Sequence, residues 1–175
     1  MRSSRLWVQT WTGRQFWPLD ARTEDVFIED IAWQLAQQNR WKGATNVPFS
    51  IAQHSVIVSR LCDPEFALQG LLHDAPEAYL GDIAGPLKAA LPDFVGAEEA
   101  LWKVIAKRFN VPVEFHPSVK RADLISLHTE SRDLLQPPPV EWRSELPPPM
   151  EERIKPWGPS QSACEFWMRY KELTR

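Results

Sequence analysis

The fold is decided by residues 69–82, which read Gln69-Gly-Leu-Leu-His73-Asp74-Ala-Pro76-Glu77-Ala-Tyr-Leu-Gly-Asp82. The apolar run is typical of a buried helix, yet ionisable side chains stand within it. Burying adjacent ionisable groups costs several kcal/mol unless they are paired or bind a metal. His73 and Glu77 are four residues apart and share a helix face, while Pro76 removes a backbone donor and should kink the helix. The stretch therefore predicts a polar site inside a helical core.

Composition restricts the possible classes of protein. The 175 residues fit one domain, and a hydrophobic content of 43% is sufficient for a core. A net charge of −3 gives no basic surface of the kind that binds duplex nucleic acid. No run approaches the roughly 18 apolar residues of a membrane span. We therefore expect no nucleic-acid partner and no membrane partner.

The beginning of the chain and the cysteines indicate a cytoplasmic protein. Residues 1–5 lead into tryptophan and polar residues and not into the apolar core of a signal peptide. Cys62 and Cys164 are far apart and belong to no cysteine-rich pattern. We expect two free thiols in a reducing cytoplasm.

Helical periodicity predicts an all-α fold, a single domain over residues 1–175 built as a bundle of about six main helices. No stretch alternates well enough to predict a strand. The chain is expected to begin with an aromatic loop or short extended segment within 1–22, followed by a helix from Thr23 to about Arg40 and a helix capped by Ser50 that ends near Cys62. A third helix, opened by Asp63-Pro64, contains His73 and Asp74, and a short helix follows Gly81-Asp82. Two further helices run from about Asp93 to Phe109 and from about Ser118 to Leu135, and a proline-rich loop over 136–159 leads to a final helix over 160–175 capped by Ser160 or Ser162.

Inward-facing polar residues of three helices form the candidate metal site. They are His54, His73, Asp74 and Asp123. Two imidazoles and two carboxylates can bind a divalent cation and leave positions open for water or substrate. Any one of these residues alone is better explained as a satisfied core histidine or a surface acid. The set of four in this order favours a metal.

The ordered set resembles the HD-domain metal-dependent phosphohydrolases. Further stretches resemble the branch that contains the bacterial 5′-deoxynucleotidases and the short phage enzymes that hydrolyse dATP to deoxyadenosine and triphosphate. These stretches are Trp17-Pro-Leu, Gln-His54-Ser, His73-Asp-Ala-Pro-Glu77, Gly81-Asp82-Ile and Gly85-Pro-Leu-Lys88. The likeness spans roughly residues 17–132 and implies a helical HD fold.

The resemblance implies one divalent ion per subunit, Zn, Co or Mn, bound by the four residues named above. A second ion accompanying the substrate phosphates is left open. Glu77 matches the acid that orients or deprotonates the attacking water, and Asp82 matches an acid that protonates the leaving alkoxide. The alternatives are an exposed helix glutamate for Glu77 and a cap after Gly81 for Asp82.

Substrate phosphates need positive partners. Lys88 matches by its position in the family, and Lys120 shares a helix face with Asp123. Both could instead be surface lysines. Arg14 and Arg22 flank the aromatic segment and are further candidate phosphate contacts.

Trp17 matches the aromatic side chain that packs on the sugar and disfavours a 2′-hydroxyl, although a core or interface role is the alternative. The residue before it is Phe16, where the deoxynucleotidases have an arginine. This departure favours the triphosphate branch. The interval from Trp17 to His54 is also longer than in the bacterial nucleotidases.

We therefore expect a phosphohydrolase of free deoxynucleotides, with dATP triphosphohydrolysis favoured and a 5′-deoxynucleotidase as the alternative. Alarmone hydrolysis is a weaker third. Rivals from other classes are a catalytically silent nucleotide-binding HD module and a binder of single-stranded nucleic acid that stacks bases on tryptophans. The resemblance and the aromatic termini also imply a homo-oligomer, such as a hexamer, in the cytoplasm of a bacterium or a phage-infected host.

Overall fold

The computed structural model describes residues 6–140 and 145–175, and over these the chain is mostly α-helical, which confirms the expected fold class. The expectations for 1–5 and 141–144 lie outside the described residues. The α-helices are α1 (Ile28–Ala36), α2 (Ile51–Leu61), α3 (Ala67–Leu72), α4 (Glu77–Leu80), α5 (Gly85–Lys88), α6 (Pro92–Phe109), α7 (Pro117–Leu134) and α8 (Pro159–Leu173). None of the helices within the described ranges is long and apolar enough to cross a membrane.

Helix α2 lies at the centre of the bundle, where it packs against α1, α3, α7 and α8. Because it is covered on several sides, its polar residues Gln53 and His54 are as deeply buried as Ile51. Ser50 caps the helix as predicted, since its Oγ accepts a hydrogen bond from the Gln53 backbone N–H at 3.1 Å. The Gln53 side chain donates instead to the Lys155 carbonyl. The central helix thus holds His54 inside the bundle.

The predicted helix containing His73 and Asp74 is interrupted. Helix α3 ends at Leu72, His73 follows it with helical dihedral angles, and α4 begins only at Glu77. The cause is Pro76, which has no backbone N–H to donate into a continuing helix. A tighter turn replaces the α-helix there, with the Ala75 N–H donating to the Leu72 carbonyl at 2.9 Å. His73 and Asp74 therefore lie at a break between two helices.

Helix α3 begins at Ala67, later than the sequence predicts. Residues Pro64–Phe66 form a 3₁₀ turn, and the Asp63 side chain makes no capping hydrogen bond. The predicted cap at Asp63-Pro64 thus opens this turn rather than α3. Proline at the first helical position is still consistent with the start of helical structure.

The N-terminal segment, expected to be a loop or a short extended segment, contains a small hairpin, and the sequence did not predict this strand pairing. Val8–Gln9 (β1) pairs antiparallel with Gln15–Phe16 (β2). Two-residue strands are too short to show an alternating pattern. Gly13 turns the chain with a φ of +81°, a value that glycine adopts without steric cost. The hairpin ends on Phe16, which is fully buried in the core.

Helix α1 is shorter than the predicted helix from Thr23 to Arg40. Thr23–Asp25 forms a 3₁₀ turn, and Val26 then takes an extended conformation and is fully buried. Helix α1 begins after Phe27, which makes no side-chain capping bond. Thr23 is therefore not the N-cap of α1, because the chain is drawn out of helical geometry to insert Val26 into the core.

The last helix also begins differently. Its N-cap is Gly158, and Pro159 is the first helical residue, a position that proline favours. The predicted caps Ser160 and Ser162 lie inside the helix, and Ser162 is fully buried. The prediction of a serine cap was wrong.

Candidate metal centre and cavity

Four side chains converge on one point. His54 Nε2 lies 3.2 Å from His73 Nε2, 3.3 Å from Asp123 Oδ1 and 3.5 Å from Asp74 Oδ2. His73 Nε2 lies 3.2 Å from the same Asp74 oxygen. His54 comes from α2, Asp123 from α7, and His73 and Asp74 from the break between α3 and α4. The folded chain thus brings together all four residues that the sequence singled out.

The donor set fits a metal ion. His54, His73 and Asp123 form a group that could hold one, and Asp74 contacts both histidines. Ligands bound to one cation at about 2.0–2.2 Å lie about 2.8–3.6 Å from one another, the range spanned by octahedral and tetrahedral angles. The three distances from His54 Nε2 and the distance from His73 Nε2 to Asp74 are 3.2–3.5 Å and fall within this range. The donor atoms of His54, His73 and Asp123 all lie within 4.8 Å of one another. Imidazole and carboxylate without thiolate suit several divalent metals, so the set does not select one.

Each histidine is held by its other ring nitrogen. His54 Nδ1 lies 2.6 Å from Glu130 Oε1, and His73 Nδ1 lies 2.8 Å from the Gly70 carbonyl. Both partners accept hydrogen bonds, so both rings carry their proton on Nδ1 when neutral. Both Nε2 atoms are then free to donate a lone pair to an ion, which is the arrangement that metal-binding histidines need.

The charges of the centre are strongly coupled. Burial lowers the pKa of His73, but the adjacent Asp74 carboxylate outweighs it and raises this pKa to about 9. Burial disfavours the Asp74 carboxylate, but His73, His54 and Arg40 together hold its pKa well below the usual range. Burial likewise disfavours the charged form of Asp123, and His54 lowers its pKa. The carboxylates thus remain ionised, as ligands must be.

A cavity of about 260 Å³ opens beside the centre. Its lining includes His73, Asp74 and Asp123 from the candidate metal site. The remaining wall combines the candidate catalytic acid, two lysines, two glutamates and an apolar surface. These residues are Pro76, Glu77, Lys88, Glu98, Glu99, Trp102, Phe115, Val119 and Lys120. A molecule bound in the cavity could therefore contact the candidate metal ligands and also the stacked rings of Trp102 and Phe115, whose centres are 4.6 Å apart.

Glu77 is a buried acid on the wall of the cavity. Burial raises its pKa, and the neighbouring carboxylates Asp74 and Asp82 raise it further, to about 9. Its Oε2 is buried and makes no hydrogen bond to any described residue. Lys88 Nζ lies 3.9 Å from the other oxygen, Oε1. A buried carboxyl oxygen without a partner beside a cavity can bind a water or a substrate group.

The two predicted lysines both line the cavity. Lys88 Nζ donates to the Glu98 carboxylate at 2.8 and 3.0 Å, which neutralises part of its charge. Lys120 is exposed and shares the cavity wall with Asp123, as their spacing predicted. Both lysines therefore line the same cavity as the candidate metal ligands His73, Asp74 and Asp123.

Asp82 and Trp17 lie outside the described lining of this cavity. Asp82 forms an ion pair with Lys42 at 2.9 Å, and the Lys42 ammonium also contacts the Asp82 carbonyl. Trp17 is partly buried on the N-terminal segment. The described aromatic residues of the cavity are Trp102 and Phe115, which sequence reasoning did not single out.

The predicted arginines lie elsewhere. The Arg14 guanidinium covers the Phe27 ring at 3.9 Å from its centre. Arg22 borders a separate surface groove with Lys103 and Lys107. Neither of them lines the described cavity.

The other two histidines have structural contacts. The His116 ring stacks on Phe66 at 3.7 Å and caps α7 by accepting a hydrogen bond from the Ser118 N–H. His128 Nδ1 lies 2.8 Å from the Pro147 carbonyl. Neither approaches the candidate metal ligands in the contacts described.

Sequence reasoning missed Glu130 and Arg40. Glu130 follows Asp123 by seven residues, which is two turns of α7, so the helical repeat could have placed both on one face. Arg40 was assigned to a helix end and lies instead in the turn between α1 and α2. No local pattern marks a loop arginine as a partner of the site.

Its fold and its site thus place the protein in the class of helical bundles with a candidate metal centre. The chain belongs to the family of the uncharacterized protein YfdR of Escherichia coli (strain K12), to which it is 36% identical over 169 residues, 95% of each chain. It is also 35% identical to an uncharacterized protein of Rhodobacter capsulatus over 144 residues, 74% of each chain. A search against models of known protein families found no match.

Proposed function

We propose that the protein is a metal-dependent phosphohydrolase of free deoxynucleotides, with the conversion of dATP to deoxyadenosine and triphosphate as the favoured reaction. One observation carries this proposal: a donor atom of each of His73, Asp74 and Asp123 lies within 3.5 Å of His54 Nε2. The cavity beside them contains a buried acid and two lysines. The same four residues, in the same order, carry the resemblance to the HD-domain phosphohydrolases.

The four ligands would hold one divalent ion, which supplies Lewis-acid activation of a phosphoryl group and of the water nucleophile. The chain's own residues would do the rest. Lys88 and Lys120 stand on the cavity wall, where they would bind and orient the phosphate oxygens. Holding the phosphate beside a fixed acid reduces the entropic cost of bringing the reacting groups together.

Glu77 would position the attacking water and accept its proton at Oε2, the oxygen that has no other described partner. The pKa of Glu77 is raised first by burial and then by repulsion from Asp74 and Asp82. Bound positive charge next to Asp74 would offset the contribution of that repulsion, and this favours the ionised, proton-accepting form. Asp82 stays the predicted proton donor to the leaving alkoxide. To act in this way it must leave its ion pair with Lys42.

The N-terminal segment bears on the choice between triphosphate and monophosphate. Phe16 is fully buried and stacks on Tyr79, with 3.8 Å between ring centres. This position therefore contributes core packing where the deoxynucleotidases have an arginine. The absence of a cation at this position supports the triphosphohydrolase over the 5′-deoxynucleotidase.

A product assay tests the proposal. Protein loaded with Mn, Co or Zn is offered all four dNTPs, the dNMPs and ribo-ATP, with Asp74→Ala as the inactive control. We expect deoxyadenosine and intact triphosphate from dATP. Nucleoside and orthophosphate from dNMPs alone would establish the 5′-deoxynucleotidase instead. No turnover with any of the three metals would contradict a hydrolase and favour the silent binding module.

A further inference from the structure

The turn between α1 and α2 has an unusual backbone. Residues Arg40–Gly43 form a 3₁₀ turn in which Trp41 (φ 58°, ψ 21°) and Lys42 (φ 53°, ψ 29°) are both left-handed. Two consecutive residues with side chains are rarely found in this region, because the Cβ atom approaches the backbone too closely. Such strain persists only where the surrounding contacts hold it in place.

The contacts that hold this turn lead to the candidate metal centre. Arg40 Nε donates to Glu130 Oε2 at 2.9 Å, and Trp41 Nε1 donates to the same oxygen at 2.8 Å. Arg40 Nη1 reaches Asp74 Oδ2 at 3.3 Å. The strained turn therefore directs two neighbouring side chains onto one buried carboxylate and one candidate ligand.

The other oxygen of Glu130 faces the centre itself. Oε1 lies 2.6 Å from His54 Nδ1 and accepts a hydrogen bond from Ser126 Oγ at 2.8 Å. Each oxygen of this fully buried carboxylate thus has two partners, which fixes its rotation. An acceptor held in this way against Nδ1 keeps the His54 proton on that nitrogen and turns Nε2 toward Asp74 and Asp123.

We propose that Arg40, Trp41 and Glu130 are positioning residues that fix His54 and Asp74 as metal ligands; we call them the Glu130 clamp. None of the three lines the described cavity. Glu130 contacts His54, Arg40 contacts Asp74, and Trp41 acts through Glu130. The strain at Trp41 and Lys42 is then the cost of presenting two donors to Glu130 from adjacent residues. This inference rests on the metal centre of the proposed function.

The experiment measures metal affinity, not turnover. Chelator-stripped wild-type protein, Glu130→Gln and Trp41→Phe are titrated with Mn²⁺, Co²⁺ or Zn²⁺ by calorimetry, and the melting temperature of each metal-free protein is recorded. We expect a loss of about 10- to 100-fold in affinity for Glu130→Gln, as is typical when the hydrogen-bond partner of a ligating histidine is removed. Trp41→Phe keeps a ring but removes one donor to Glu130, so its loss should be smaller and in the same direction.

Asp30→Asn is the matched control. Asp30 is an equally buried acid, and it accepts hydrogen bonds from the Thr12 N–H at 2.8 Å and the Thr12 hydroxyl at 3.1 Å, away from the candidate ligands. We expect a lower melting temperature with unchanged metal affinity. If Glu130→Gln behaves like this control, the carboxylate is only structural and the clamp is overturned.

The outcomes also separate the clamp from the proposed function. Weakened metal binding in the clamp variants supports the clamp even if wild-type protein hydrolyses no nucleotide, a result that would overturn the proposed function alone. Wild-type affinity in both variants would overturn the clamp while leaving hydrolysis possible. Wild-type protein that binds none of Mn²⁺, Co²⁺ and Zn²⁺ would overturn both.

Discussion

The Nε2 atoms of His54 and His73 lie 3.2 Å apart, although 19 residues separate them in the chain. Because each ring binds an acceptor through Nδ1, the two nitrogens face each other as lone-pair donors when both rings are neutral. A proton on one of the two nitrogens, or a metal ion bound by both, relieves this repulsion. The centre is therefore a place where protons and cations compete.

Metal affinity should depend on pH through His73. Its pKa in the metal-free fold is raised from 6.5 to about 9, so an ion must displace a proton at any pH below about 9. We expect affinity to increase from pH 6.5 to 9, by up to about tenfold per pH unit for one released proton. Calorimetric titration with Mn²⁺ at several pH values measures this. An affinity that stays constant over the range would contradict the coupling of His73 to the centre.

The stability of the metal-free protein should change over the same range in the opposite sense. His73 has a higher pKa in the folded chain than in the unfolded chain, so its ion pair with Asp74 contributes fully below pH 6.5. The contribution is lost as pH rises through about 9. Thermal melts should therefore show wild-type protein losing stability between these values. His73→Asn removes the titrating ring and should be less stable at pH 6.5, with the difference from wild type shrinking toward pH 9.

Glu77 should be needed for turnover and not for metal. Glu77→Gln keeps the size of a buried side chain but cannot accept a proton, so kcat should fall by about 100- to 10,000-fold. Bound metal, measured by plasma mass spectrometry, should be unchanged because Glu77 is outside the four-ligand group. Glu65→Gln, an exposed residue of the turn before α3, serves as the control and should behave as wild type. Wild-type turnover in Glu77→Gln would remove Glu77 from the mechanism.

Gly70 has little room for a side chain. A Cβ atom at this position would lie 2.8 Å from Cys62 Sγ and 3.3 Å from the Ser59 Cα. Overpacking of this kind destabilises by about 1–3 kcal/mol, so Gly70→Ala should lower the free energy of unfolding by that amount in urea titration. Cys62→Ala in the same chain removes the closer contact and should restore part of the loss. A Gly70→Ala variant as stable as wild type would show that α2 and α3 are less tightly packed than described.

The helical fold could be predicted because most of its signals are local. The Ser50 cap and the apolar periodicity of α6 and α7 depend on neighbours a few residues away, and these helices lie where expected. Helices α1 and α8 begin at other residues than predicted. Burial of Val26 overrides the predicted cap Thr23, and the fixed geometry of Pro159 overrides the predicted caps Ser160 and Ser162. The break before Glu77 follows from Pro76 alone, which the sequence did identify.

The candidate ligands could be predicted for a different reason. Ionisable side chains at inward positions are costly, and His54, His73, Asp74 and Asp123 therefore stand out against an apolar pattern. Arg40 and Trp41 could not be found in this way, because their contacts with Glu130 join residues about 90 positions apart through a loop. The substrate, the metal and the oligomeric state stay predictions.

The central claim is the four-ligand metal centre, and metal content tests it most directly. Wild-type protein, His73→Ala, Asp74→Ala and the control His128→Ala are purified, dialysed against Mn, Co or Zn, and analysed by plasma mass spectrometry. The account predicts about one ion per chain in wild type and in His128→Ala, whose imidazole contacts only the Pro147 carbonyl among the contacts described. It predicts none in the other two variants. Stoichiometric metal retained in both His73→Ala and Asp74→Ala would contradict it.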